Sequence, residues 1–188
     1  EIIPCYYQNI KNYNIEYLII KENNKFGIID WNKNYIIKSK YHFLIEIFPN
    51  YFLINKNEKY GIINIKEQII IPIDFDEITK IYKTILLVRN NEKYGLYNLR
   101  NEILPCNYSL IQKDSNLKLF KVQKDGLYGI VNSKGEEIIP CNFNYIRDSK
   151  ENLFVIELDK KWGVFDCYGN EIYPFEYSKI SNFNENIA

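Results

Sequence analysis

The sequence predicts an all-β chain of tandem antiparallel meanders repeating every 34 residues, and three observations carry that prediction. An aromatic-Gly pair recurs at Phe26-Gly27, Tyr60-Gly61, Tyr94-Gly95, Tyr128-Gly129 and Trp162-Gly163, each 34 residues after the one before. Apolar residues around these pairs alternate with the period of a strand and not of a helix. Proline and Asn/Asp turn signals return at fixed offsets, so every period is punctuated alike. An array has no domain boundary except its ends. The 188 residues therefore read as one array, with a partial unit at 1–14 and units at about 15–48, 49–82, 83–115, 116–150 and 151–184.

Each period opens on segment a: Leu18-Ile19-Ile20, Phe52-Leu53-Ile54, Leu86-Leu87-Val88, Phe120-Lys121-Val122 and Phe154-Val155-Ile156. The outer two positions are always apolar and the middle one admits Lys121, which predicts a strand with one guarded face. A polar turn of three to five residues follows, then segment b with the aromatic-Gly pair. Glycine weakens a strand unless the position must stay empty. The expectation is that a ring of one unit packs against the bare backbone of a neighbouring segment. Truncating a central head such as Tyr94 to Ala would then cost about 3 to 5 kcal/mol.

Segment b ends in Asp30, Asn64, Asn98, Asn132 or Asp166, and three residues later stand Lys33, Glu67, Asn101, Gly135 and Gly169. This is the pattern of a type I turn ending in the left-handed region, where Lys33 and Glu67 would each cost about 1 kcal/mol. Segment c (Ile36-Ile37, Ile70-Ile71, Ile103-Leu104, Ile138-Ile139, Ile172-Tyr173) runs into Pro72, Pro105, Pro140 or Pro174 in four of the periods. Proline donates no backbone hydrogen bond, so c stops there or runs as an edge. A second aromatic column (Tyr7, Tyr41, Phe75, Tyr108, Phe143, Tyr177) and an aliphatic one (Ile10, Leu44, Ile78, Ile111, Ile146, Ile180) then mark a short fourth segment. Cys5, Cys106 and Cys141 share the post-proline column with Ser39, Ile73 and Phe175. A column exchanging Cys with Ile and Phe is a packing column, and no C-x-x-C spacing offers a zinc site.

In the aromatic-Gly pair, in the run Asn132-Ser-Lys-Gly135-Glu-Glu-Ile-Ile-Pro140 and in the later aromatic-x-x-aliphatic step, the sequence resembles the WG-repeat family, also called KWG repeats. Lys161-Trp162-Gly163 carries the family's letters in full, with Tyr or Phe replacing Trp in the other four copies. The resemblance spans five units and the partial one. It implies β-structured modules that accompany other domains in larger, mostly bacterial proteins, with a binding or scaffolding role and no catalytic residue.

An open, solenoid-like stack and a closed propeller-like ring could both bury these faces. Thirty-four residues is short for a propeller blade, and with Ile2-Ile3 of the partial unit six c segments stand against five a–b hairpins, so the open stack is favoured.

Lys plus Arg equal Asp plus Glu at 24 each, a balance that argues against nucleic acid as partner. No apolar run approaches the length of a transmembrane helix. The single His42 falls in a polar, variable column, which reads as a loop and not as a catalytic base. Asp74, Asp76 and Glu77 could supply a carboxylate pair, yet acids there read better as a solvated edge. The Asp/Asn column opens turns; only two of its five members are charged, too few for calcium. No cofactor is expected.

Lys25, Lys59, Lys93 and Lys161 share one column, broken by Leu127, and form a candidate stripe for an acidic protein partner. The function expected is that of a non-catalytic interaction or scaffolding module, cut from a larger bacterial protein. The alternative is carbohydrate or cell-envelope binding, because 30 Tyr, Phe and Trp residues exceed what a small core needs and exposed rings stack on sugars. Burial or exposure of the second aromatic column separates the two. The compartment stays open, with the cytoplasm slightly favoured.

Overall fold

A computed structural model describes residues 17–115, 117–147 and 152–181 of the chain. The partial unit at 1–14, with Cys5, Tyr7 and Ile10, lies outside the described residues. All regular structure among the described residues is antiparallel β, and no sheet closes on itself. The chain divides into two compact units, 1–78 and 79–188.

The first unit holds a three-stranded sheet, β1 (Leu18–Glu22), β2 (Lys25–Ile29) and β3 (Tyr35–Tyr41). Beside it is a four-stranded meander, β4 (Phe43–Phe48), β5 (Tyr51–Lys56), β6 (Lys59–Asn64) and β7 (Ile69–Phe75). Three more meanders follow. One comprises β8 (Glu77–Tyr82), β9 (Ile85–Asn90), β10 (Lys93–Tyr97) and β11 (Glu102–Tyr108). The next comprises β12 (Leu110–Lys113), β13 (Leu119–Lys124), β14 (Leu127–Asn132) and β15 (Glu137–Phe143). The last comprises β16 (Tyr145–Ile146), β17 (Leu153–Leu158), β18 (Lys161–Asp166) and β19 (Glu171–Tyr177). The fourth segment of each period pairs with segment a of the next, as Leu44 with Ile54, Ile111 with Val122 and Ile146 with Ile156. Each four-stranded sheet therefore straddles two of the 34-residue periods.

The a–b turns are shorter than the sequence suggested. Each has two residues, both with positive φ: Asn23-Asn24, Asn57-Glu58, Asn91-Glu92, Asp125-Gly126 and Asp159-Lys160. That is the type I′ geometry whose twist matches antiparallel strands; Asn-Glu and Asp-Lys hide it because they lack the usual glycine. The b–c turns follow the expectation at Lys33 (φ 65), Glu67 (φ 61), Gly135 (φ 85) and Gly169 (φ 88). In the third copy the Asn98 side chain caps the N–H of Asn101 at 2.9 Å, whereas Asn64 and Asn132 reach four residues on. This one-residue contraction removes the left-handed step.

The reason for the column glycines differs from the one expected. Tyr60 pairs with Phe75 and Ile62 with Ile71, so Pro72, Ile73 and Asp74 together face Gly61 across a bulge in the edge strand. The bulge bows the c backbone towards the glycine. A Cβ on Gly61 would meet Ile73 Cα at 2.8 Å and Ile71 O at 2.9 Å, and the other four copies repeat this clash with their own c strand. The empty position thus accommodates the backbone of the same sheet and not a ring of a neighbouring unit. The proline lies inside the bulge, where a missing N–H costs no ladder bond, and c runs past it as an edge strand.

The middle position of segment a is not solvent-facing either. In the last two copies Lys121 is 9% exposed and Val155 2%. The core repeats as one interface. In the first unit Ile37 and Tyr41 meet Leu44, Phe52 and Ile54. In the second, Leu104 and Tyr108 meet Ile111, Phe120 and Val122, and Ile139 and Phe143 meet Ile146, Phe154 and Ile156.

Candidate partner-binding surface

Each column lysine is the first residue of a b strand, directly after the two-residue turn, or, in the fourth copy, is replaced there by Leu127. That position aims the side chain at the corner where c turns into the fourth segment. The corner is braced by backbone: the N–H groups of His42, Ser109 and Asn144 donate to Asn55 O (3.0 Å), Gln123 O (2.8 Å) and Glu157 O (2.9 Å) of the next a strand. Lys59 pairs with Asp76 across this corner at 2.6 Å. Lys25 Nζ contacts His42 Nε2 at the equivalent place, and Lys161 donates to Glu176 O at 3.3 Å. Lys93 is exposed. The column is therefore partly engaged in bracing corners, and His42 sits in the exposed loop position that its column indicated.

The five aromatic heads Phe26, Tyr60, Tyr94, Tyr128 and Trp162 are half-buried. Their partners are rings and cations: Tyr60 meets Phe43 edge-on at 6.2 Å, and Lys21 Nζ lies 5.3 Å over Phe26. Tyr145 links Tyr128 (5.8 Å) to Trp162 (6.3 Å), with Arg147 stacked 5.2 Å over Trp162. Sequence reasoning missed Phe43 and Tyr145. Both follow the polar corner residue, but their column is aromatic in only these two copies, too few to stand out.

The second aromatic column is spent on the core. Tyr41, Phe75, Tyr108 and Phe143 are 4 to 8% exposed, whereas Tyr177, on the last sheet, is 44% exposed. Tyr41 Oη donates to Glu67 at 2.9 Å, and Lys40 pairs with the same carboxylate. Burial first, and the hydrogen bond to the Glu67 carboxylate second, push the Tyr41 hydroxyl well above its ordinary range. Glu67 thus uses its left-handed turn position to tie the second sheet to the first.

The Asp/Asn column caps turns. Asp166 accepts N–H bonds from Tyr168 and Asn170, both at 2.8 Å, and Asn34 donates to Asp30 at 2.8 Å. These bonds, those from the Asn34 and Asn170 side chains above all, hold both carboxyls below the usual range. Among the described residues no three His, Cys, Asp or Glu side chains converge as metal ligands. Asp74 and Glu77 are exposed. Cys106 and Cys141 place their Sγ atoms over Gly95 and Gly129, packing as the column predicts.

The sequence matches the WG containing repeat at 60–94, 128–162 and 163–188, half of the chain. The chain belongs to the WG-repeat family. No curated protein matches it in sequence. Several solved structures are similar to the chain at low identity. A crystal structure of the eukaryotic initiation factor is 11% identical with a TM-score of 0.44, covering 84% of this chain and 50% of that one. Hsv2 of Kluyveromyces lactis is 13% identical with a TM-score of 0.36 over 84% of this chain and 59% of its own. PorZ, a bacterial surface component of the type-IX secretion system of Porphyromonas gingivalis, is 6% identical with a TM-score of 0.38, over 92% and 26%. The chain thus spans about six-tenths or less of the length of each. No helix among the described residues is long and apolar enough to cross a membrane.

Proposed function

We propose that this WG-repeat chain is a non-catalytic interaction or scaffolding module of a larger protein. The observation that carries the reading is the burial of Tyr41, Phe75, Tyr108 and Phe143. A sugar platform needs rings in a row on the surface, and here the most regular row is core. What recurs in every copy is packing chemistry, whereas acids and His42 vary from copy to copy. A surface repeated at fixed intervals suits an extended protein partner. The test is to use the chain as an affinity reagent and identify partners retained reproducibly. Replacing Lys25, Lys59, Lys93 and Lys161 by Glu should weaken retention if the stripe docks an acidic segment; unchanged retention removes the stripe from the proposal. Tight binding of cell-wall glycans, with no protein retained, would replace the reading with the carbohydrate one.

A further inference from the structure

The sheets β8–β11 and β12–β15 enclose a cleft of about 250 Å³ lined by Tyr82, Lys83, Thr84, Asn98, Lys118 and Ser133. These residues come from the connections that enter β9 and β13 and from the b–c turns. The cleft therefore opens at the strand ends opposite the column lysines, which stand at the a–b turns. Among the described residues no acidic side chain lines it.

Cations gather there in spite of their mutual repulsion. Lys83 Nζ lies 5.6 Å over the Tyr82 ring and Lys113 Nζ 5.1 Å over the same ring. Lys113 donates to the Asp114 carbonyl at 2.7 Å, while the Asp114 carboxylate is buried and accepts the Leu117 N–H at 2.8 Å. In a chain of balanced charge, residues 79–136 hold ten Lys and Arg against five Asp and Glu. The hydroxyls of Thr84 and Ser133 add neutral donors, and Tyr82 and Ile85 add apolar wall. Such a mixture matches a carboxylate carried on a methylene stem. The volume is below the roughly 300 to 1,000 Å³ usual for small-molecule pockets, which suits a side chain and not a cofactor.

We propose that this cleft seats an Asp or Glu side chain of an acidic protein segment. The proposal rests on the interaction-module reading and places the contact at the end of the sheets away from the lysine column. The probe is a fluorescein-labelled oligoglutamate peptide titrated into the intact chain, followed by anisotropy. The variant is K83E/K118E, and the control is K56E/K179E, which changes the net charge equally at two other exposed lysines. Lys56, Lys83, Lys118 and Lys179 are exposed, and Glu58, Glu67 and Glu92 already occupy positive φ as Lys83 does, so both double variants should melt like the parent.

The expected result is a loss of at least about tenfold in K83E/K118E and a change within about twofold in the control. Equal losses in the two variants, or no measurable peptide binding by the parent chain, would overturn the proposal. Displacement of the peptide by inorganic phosphate at matched ionic strength would also overturn it, by reassigning the site to phosphate. Should proteins captured by the intact chain stay bound to K83E/K118E, the cleft fails while the interaction-module reading stands.

Discussion

Gly95 and Cys106 face each other across the β10–β11 pair so closely that a Cβ on the glycine would stand 3.0 Å from both the Cys106 nitrogen and its Sγ, and 2.7 Å from Leu104 O. Two of these three atoms are backbone, so a smaller side chain at 106 cannot relieve the contact. Gly95→Val should therefore destabilise the chain by about 2 to 4 kcal/mol, and adding Cys106→Ala should recover little of it. Chemical denaturation of the three proteins measures this. Gly126, where an added Cβ meets nothing within 4 Å, is the control: Gly126→Asn should cost only a few tenths of a kcal/mol.

The gradient of burial along the c-strand aromatics makes a second prediction. Phe143 is 8% exposed and meets the rings of Phe165 and Phe175 at 5.7 and 5.6 Å, whereas Tyr177 is 44% exposed. Phe143→Ala should cost about 3 to 5 kcal/mol and Tyr177→Ala less than about 1. Tyr94, half-buried, belongs between them at about 1 to 2 kcal/mol, below the value that its place in the repeat alone suggested. Melting of the three variants under one buffer condition ranks them.

Most of the architecture was legible because 34-residue spacing exposes columns, and a column shared by Ile, Leu and Val or by Tyr and Phe reports burial without any alignment. Segments a to c, the edge-strand prolines and the packing role of Cys106 and Cys141 were all readable that way. Three things were not. The I′ turns hide because Asn-Glu and Asp-Lys stand in for glycine. The cause of the Gly61 column depends on a bulge, which pairs residues that no sequence periodicity joins. Lys59 looks like a free charge until the corner brings Asp76, 17 residues on, within 2.6 Å.

Acid sensitivity should trace in part to Asp30 and Asp166. Their folded carboxyls titrate below the ordinary value because Asn34 and Asn170 bond to the charged form. A depressed folded pKa contributes stability that is present above the unfolded value near 3.9 and lost as pH falls through the folded one. Asn supplies the same acceptor without a proton to bind, as it does at 64, 98 and 132. Asp30→Asn with Asp166→Asn should leave the melting temperature near pH 7 almost unchanged and make its decline below about pH 4 shallower. An identical decline in parent and variant would contradict the assignment.

The Cys141 thiol should be a poor nucleophile. Burial raises its pKa, with Glu137 adding to the effect, so the thiolate is scarce at neutral pH. Alkylation by iodoacetamide at pH 7.5 should be slower at Cys141 than in a short peptide carrying the same residues, and the two rates should converge in denaturant. Peptide mapping by mass spectrometry reads each site separately.

Lys33 and Glu67 occupy the same left-handed turn position, yet replacing each with glycine should move stability in opposite directions. Both pay about 1 kcal/mol for positive φ, which glycine returns. Lys33→Gly should therefore stabilise by up to that amount. Glu67 also accepts the hydroxyl of Tyr41, a residue only 4% exposed. Losing a charged partner to a buried hydroxyl costs about 1 to 3 kcal/mol, so the loss outweighs the relief and Glu67→Gly should be net destabilising by about 1 kcal/mol. Adding Tyr41→Phe to Glu67→Gly removes the orphaned hydroxyl, and should recover most of that deficit in a thermal melt.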